Sequence, residues 1–166
     1  MIKRTLILLA LFCLDGCSIA SFEKGLNYKK NSDYKYEIDD GSATIKNKEN
    51  GKYINTRFGR GSYCGRYGII GPLIFPIIPI WQRQDCGNVV INIWEHSVGI
   101  KNAYIIYHNK IYNPSKISKT GYYTFPLQTK SISDTATLVV EKKDGEKFEI
   151  PFRYQHTFSF DLWPGR

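Results

Sequence analysis

Three histidines, His96, His108 and His156, are the side chains best suited to move protons near neutral pH. A hydrolase would set one of them between a nucleophile and an orienting carboxylate. No serine stands in a Gly-x-Ser-x-Gly pattern. Glu95 and His96 are sequence neighbours, so on a strand they point to opposite faces and cannot act on one substrate. His108 reads as part of a turn and His156 as a strand-surface residue. No His or carboxylate cluster has zinc, calcium or transition-metal spacing, so neither a metal nor a cofactor is expected. Gly59-Arg60-Gly61-Ser62-Tyr63 is glycine-rich and basic but lacks the Lys-Ser/Thr ending of a phosphate-binding loop. Asp39-Asp40-Gly41 lacks the later acidic positions of a calcium loop and reads as a turn. The chain is therefore expected not to be an enzyme.

The first residues carry an address instead. Lys3 and Arg4 precede an apolar stretch from Leu6 to Leu14, followed by Asp15-Gly16-Cys17. Charge, apolar core and small residue in that order make a secretory signal, and the core is too short for a bilayer-spanning helix of about 20 residues. Leu14, Gly16 and Cys17 resemble the lipobox of bacterial lipoproteins, although Asp15 stands where that pattern has a small or uncharged residue. The resemblance implies cleavage before Cys17, a diacylglycerol thioether on its sulfur and an acylated amine. Ser18 after the cysteine implies an outer-membrane anchor with the domain facing the periplasm. Residues 1–16 are then signal, 17–31 a polar, basic, aperiodic lipidated tether, and 32–166 a single β-rich domain.

Of four cysteines, Cys13 leaves with the signal and Cys17 takes lipid. The remaining pair, Cys64 and Cys86, reads as a disulfide, because an exported chain meets an oxidising compartment.

Between those cysteines, residues 68–81 are wholly apolar and carry Pro72, Pro76 and Pro79. The prolines argue against a helix and against a central strand. The block is either an extended buried segment or an exposed loop that meets lipid or a partner. Its candidate contact residues are Ile69, Ile70, Leu73, Phe75, Ile77, Ile78 and Trp81. No acid occurs between Glu49 and Asp85, whereas Lys52, Arg57, Arg60, Arg66 and Arg83 do. An apolar, Trp-ended loop with a basic rim suits an anionic membrane surface. A second acid-free run from Glu95 to Asp134 carries Lys101, Lys110, Lys116, Lys119 and Lys130 and reads as a solvated face.

The elements that must position these residues are strands. The chain has 166 residues with 14 Gly, 7 Pro, 12 Tyr and 1 Met, a turn-rich and strand-rich composition. Strands are expected at Ser42–Lys46, Tyr53–Phe58, Val89–Glu95, Ala103–Tyr107, Tyr122–Pro126 and His156–Leu162. His108-Asn109-Lys110 is expected to turn the chain into Ile111-Tyr112, with Asn109 left-handed. Phe148, Ile150, Phe152 and Tyr154 alternate with polar residues, and Ala136, Leu138 and Val140 share one parity. A three-residue loop Lys143-Asp144-Gly145, with Gly145 left-handed, sets Val140 opposite Phe148, Leu138 opposite Ile150 and Glu141 opposite Lys147. Pro151 must then turn its nitrogen toward an edge or a bulge.

Together these features predict an all-β fold, an antiparallel β-sandwich that is broadly immunoglobulin-like, with a small β-barrel as the alternative. The formal net charge is +8, but no nucleic-acid-reading motif accompanies it. The expected partners are the membrane through the lipid anchor, and anionic lipid, lipopolysaccharide or an envelope protein through the basic rim. The expected function is a non-enzymatic binding or envelope-assembly module. The alternatives are an inhibitor or accessory subunit of an envelope complex, and a periplasmic enzyme whose residues converge only in three dimensions.

Overall fold

The computed structural model describes residues 17–39, 42–72, 78–82, 86–94 and 99–163. Thirteen strands account for its regular structure: β1 (Cys17–Tyr28), β2 (Tyr34–Asp39), β3 (Ser42–Asn47), β4 (Tyr53–Phe58), β5 (Tyr63–Pro72), β6 (Ile78–Gln82), β7 (Asn88–Trp94), β8 (Ile100–Tyr107), β9 (Lys110–Tyr112), β10 (Lys116–Ile117), β11 (Tyr122–Gln128), β12 (Ala136–Lys142) and β13 (Lys147–Trp163). Arg60–Ser62 and Thr129–Ser131 are single 3-10 turns. The strands form two antiparallel sheets, ordered β6-β5-β1-β13-β12-β8-β9 and β10-β11-β7-β4-β3-β2. Two open sheets make a sandwich rather than a closed barrel.

The chain divides into two compact units. The smaller comprises Met1–Lys24, Gly65–Gln84 and His156–Arg166, and the larger Gly25–Cys64 and Asp85–Gln155. Strands β1, β5 and β13 contribute residues to both. In the larger unit, alternation turns Ile54 and Phe58 of β4, Val89, Ile91 and Ile93 of β7, and Phe125 of β11 into one core. From the other sheet, Ala103 and Ile105 of β8, Leu138 and Val140 of β12, and Phe148, Ile150 and Phe152 of β13 meet them there. Each of these large side chains contributes about 1.5–3 kcal/mol by leaving water. Val139 is buried as well, so β12 is covered on both faces.

The two local hairpins form as expected. Val140 pairs with Phe148, Leu138 with Ile150 and Glu141 with Lys147. The loop is closed by Lys142 N–H to the Glu146 carbonyl at 2.8 Å, and Gly145 has φ of 88°. Between β8 and β9, His108 and Asn109 both have positive φ, 48° and 59°, and Tyr107 pairs with Lys110. That is the primed two-residue turn whose twist matches antiparallel strands.

Pro151 occupies a central strand, not an edge. Its carbonyl accepts from Lys29 N–H at 2.8 Å. In an antiparallel strand a residue's nitrogen points the same way as its carbonyl. The absent N–H therefore faces Lys29, one residue past the end of β1, where no ladder bond is lost.

Four other expectations are corrected. Residues 17–28 are strand β1, not tether, and Ala20, Ser21 and Leu26 are buried. The β-rich region thus begins at Cys17 rather than at residue 32, and it forms two units rather than one. Tyr34–Asp39 is a strand that the composition concealed, and His156–Leu162 is the end of the 17-residue β13. Finally, the apolar block folds as hairpin β5–β6, with Ile69 opposite Pro79 and Ile70 opposite Ile78. Its prolines sit where strands tolerate them: Pro72 ends β5, and Pro79 lies in β6, which ends the sheet order.

Candidate functional site

The histidines do not assemble a catalytic centre among the described residues. His108 stacks on Tyr107 with centroids 4.0 Å apart, in the β8–β9 turn. His156 is exposed on β13. Glu95 and His96 lie outside the described residues, as do Asp40 and Gly41. No group of three His, Cys, Asp or Glu among the described residues could hold a metal ion.

The glycine-rich loop serves packing. Gly59 N–H donates to the Val90 carbonyl at 2.8 Å, and the Ser62 hydroxyl donates to the same carbonyl at 2.8 Å. Val90 N–H in turn donates to the Ser62 hydroxyl at 3.0 Å. The Thr129 hydroxyl donates to the Gly61 carbonyl at 2.8 Å. A Cβ on Gly61 would collide with the Asn88 carbonyl. The glycines therefore let a turn lie flat on β7.

Cys64 and Cys86 are joined as a disulfide, with Cα atoms 4.4 Å apart and a sequence separation of 22. The bridge closes the covalent loop that contains the whole apolar hairpin.

The basic residues are divided between the two units. Arg57, on β4, and Arg60, in the 3-10 turn, are exposed in the larger unit, whereas Arg66 pairs with Gln82 at the start of the hairpin in the smaller unit. Trp81 pairs with Tyr67 on the same hairpin. Leu73, Phe75, Ile77 and Arg83 lie outside the described residues, as does the signal through Gly16. Lys52 is claimed by partners far away in sequence: its ammonium is 2.8 Å from Asp144 and 3.3 Å from Glu146. Burial pushes the Glu146 carboxyl up. Hydrogen bonds from Asn50 at 2.9 Å and Asn47 at 3.3 Å, with Lys52, outweigh that and hold it below its ordinary value. Lys52 likewise holds Asp144 down.

Two surfaces escaped the reading of the sequence. The first is aromatic and lies in the smaller unit. Phe22 on β1 and Phe158 on β13 have ring centroids 4.8 Å apart. They are 43% and 60% exposed, and Phe160, two residues along the same face of β13, is 50% exposed. The alternation of residues 156–162 signalled a strand but not which side would face water.

The second surface is the outer face of the six-stranded sheet. Burial of Ile91 and Ile93 turns Asn92 and Trp94 outward, and burial of Ile54 and Thr56 turns Asn55 and Arg57 outward. Register aligns them in rows: Tyr122, Asn92 and Arg57 across β11, β7 and β4, and Trp94, Asn55 and Thr44 across β7, β4 and β3. The Thr44 hydroxyl donates to Asn55 Oδ1 at 2.8 Å, and Asn92 Nδ2 donates to the Thr120 carbonyl at 3.2 Å. Asn55 Nδ2 and Asn92 Oδ1 keep no hydrogen-bond partner among the described residues. Strands β4, β7, β10 and β11 contain no Asp or Glu.

No helix among the described residues is long and apolar enough to cross a membrane. No protein-family model, curated protein or solved structure matches the chain.

Proposed function

We propose that this protein is a non-enzymatic lipoprotein of the bacterial outer membrane, anchored through Cys17 and held against the bilayer on the periplasmic side as a binding or envelope-assembly module. The observation that carries this reading is the position of Cys17 at the start of strand β1. Ala20, three residues on, is already buried. At about 3.3 Å per residue, only about 10 Å of chain separates the acylated residue from packed structure. With no slack tether, the smaller unit sits at the headgroups rather than swinging free.

The exposed aromatic face supports the same reading. Phe22 follows Cys17 by five residues on the same strand and packs on Phe158. Exposed aromatic rings near an acyl anchor add interfacial contact to the acyl chains that the lipobox implies. The apolar hairpin β5–β6 belongs to the same unit. Phe22, Phe158 and Phe160 are taken as the membrane side, and anionic lipid, lipopolysaccharide or an envelope protein are the partners within reach of such a face.

Membrane fractionation of the full chain tests the anchor. The wild type should stay with outer membranes through a carbonate wash, with mass spectrometry placing diacylglycerol on Cys17, and Cys17→Ala should release it. Carbonate-resistant association of Cys17→Ala would overturn the reading.

A further inference from the structure

We infer that strand β2 pairs edge to edge with β2 of a second copy of this chain, antiparallel about a two-fold axis at Tyr36, so that Lys35 of each copy faces Glu37 of the other. β2 lies wholly in the larger unit, and this pairing is independent of the anchor reading.

Among the described residues the two sheets end in β6, β9, β10 and β2. An end strand offers a row of unpaired backbone groups to any other strand, and natural sheets blunt it with brevity, proline or charge. β9 has three residues and β10 two, and β6 carries Pro79. β2 has six residues and no proline, and its Ile38 is 52% exposed. Of these ends, β2 is the one left able to accept a strand. Its backbone fixes how. Lys48 N–H donates to the Asp33 carbonyl at 3.1 Å, and the same ladder sets Lys35 opposite Lys46 and Glu37 opposite Thr44. The odd-numbered residues of β2 therefore bond to β3. The N–H and C=O of Tyr36 and Ile38 and the Tyr34 carbonyl point the other way, and no strand meets them among the described residues.

The occupant is a second copy because β2 is complementary to itself. Opposed residues of an antiparallel pair either both bond across it or both face away, so the axis passes through a residue and not between two. With the axis at Tyr36, the two Tyr36 residues exchange both backbone bonds, and each Ile38 N–H meets the Tyr34 carbonyl of the other copy. Lys35 then stands opposite Glu37 of the second copy in the non-hydrogen-bonded position, where Cα atoms come to about 4.5 Å. Within one chain Lys35 and Glu37 already form an ion pair at 2.8 Å, with both side chains 65% exposed. Two such strands side by side make a square of alternating charges. An axis at Lys35 would set that lysine against itself, and an axis at Glu37 would set that glutamate against itself. On the other face, the exposed Ile38 gains Tyr34 of the second copy as its cross-strand neighbour. Both copies contribute the same surface, which is the isologous arrangement of a closed two-fold dimer.

Sedimentation and amide exchange of the full-length chain in detergent, across a range of protein concentrations, test the pairing. A reversible dimer should form in the micromolar-to-millimolar range that suits a short interface, and the Tyr36 and Ile38 amides should gain protection as it forms. Lys35→Glu or Glu37→Lys alone should weaken the dimer about tenfold or more, because by symmetry each change creates two like-charge pairs. The double exchange, Lys35→Glu with Glu37→Lys, should restore it. In a register centred on Glu37, position 35 would face Asp39, so there the double exchange would repel. Ile38→Pro removes a donor that faces away from β3, so it should abolish the dimer while the monomer stays folded. Four results would each overturn the proposal: a monomer at every concentration, a dimer indifferent to Lys35→Glu, a double exchange that binds no better than the single ones, or a dimer unchanged by Ile38→Pro in a folded variant.

Discussion

The Ser62 hydroxyl and the Val90 backbone exchange two hydrogen bonds, one each way, at 2.8 and 3.0 Å. A side chain thereby serves β7 as a neighbouring strand would, at the point where β4 has ended and the chain turns toward β5. Ser62 is buried, so water cannot replace it. Ser62→Ala leaves the Val90 N–H without that partner and should destabilise the fold by about 1–3 kcal/mol, read as a lower urea midpoint at unchanged slope. An unchanged midpoint would mean that this exchange carries no stability.

Gly61→Ala tests the same turn from the other side. The added methyl meets the Asn88 carbonyl, and backbone can yield only by moving the turn off β7. A loss of about 1–3 kcal/mol is expected from such overpacking. Gly145→Ala, with open space around it but φ of 88°, probes conformation without crowding and should cost about 1 kcal/mol. Equal stability of Gly61→Ala and wild type would show that the contact relaxes freely.

Acid should loosen the clasp between the β3–β4 and β12–β13 turns. Asp144 and Glu146 have folded carboxyl values held below the ordinary ones by Lys52 and its amide neighbours. A depressed folded value contributes stability above the unfolded value, and that stability is lost as pH falls through the folded one. Urea midpoints should therefore drop as pH falls below about 4.5. Lys52→Ala should flatten that drop, and a slope identical to wild type would sever the clasp from acid stability.

Alkali should act through two phenols. Burial pushes Tyr28 above its ordinary value and Tyr36 up to about 12. The folded state then holds protons that the unfolded chain releases near pH 10, so stability falls as pH rises above about 10. Phenolate absorbance should show Tyr28 among the last of the tyrosines to ionise, and Tyr28→Phe should remove that late step. Its survival in Tyr28→Phe would assign it elsewhere.

Reducing Cys64–Cys86 frees a loop with a sequence separation of 22, which in the chain-entropy model is worth about 3 kcal/mol. The Cys64→Ser, Cys86→Ser double variant should lose about that much, read by denaturant melts with and without reductant. A double variant as stable as the oxidised protein would show that the bridge constrains nothing that folding requires.

Local patterns were legible and non-local ones were not. The β12–β13 register followed from parity plus a three-residue turn, and His108-Asn109 announced its own hairpin. Strand β1 was hidden because its neighbours in the sheet, β5 and β13, are far away in sequence and its residues 17–28 mix polar and apolar types without a clean alternation. Pro72 and Pro79 argued against strands because sequence does not say which strand ends and which edges are unpaired. The ion pairs of Lys52 were hidden for a related reason: an acid-free stretch of chain is not an acid-free region of space, and Asp144 and Glu146 reach it from more than ninety residues on. The outward row of Asn92 and Trp94 was implicit in the strand at 89–95, but Arg57 and Tyr122 joined it only through sheet order.

The Cys64–Cys86 bridge also makes the length of the segment 65–85 cheap to vary. The ends of that segment are fixed covalently whatever lies between them, and lengthening a closed loop costs only about 0.6 kcal/mol per doubling. The core residues described for the larger unit all lie outside 65–85, while β5 and β6 extend the seven-stranded sheet from β1 outward.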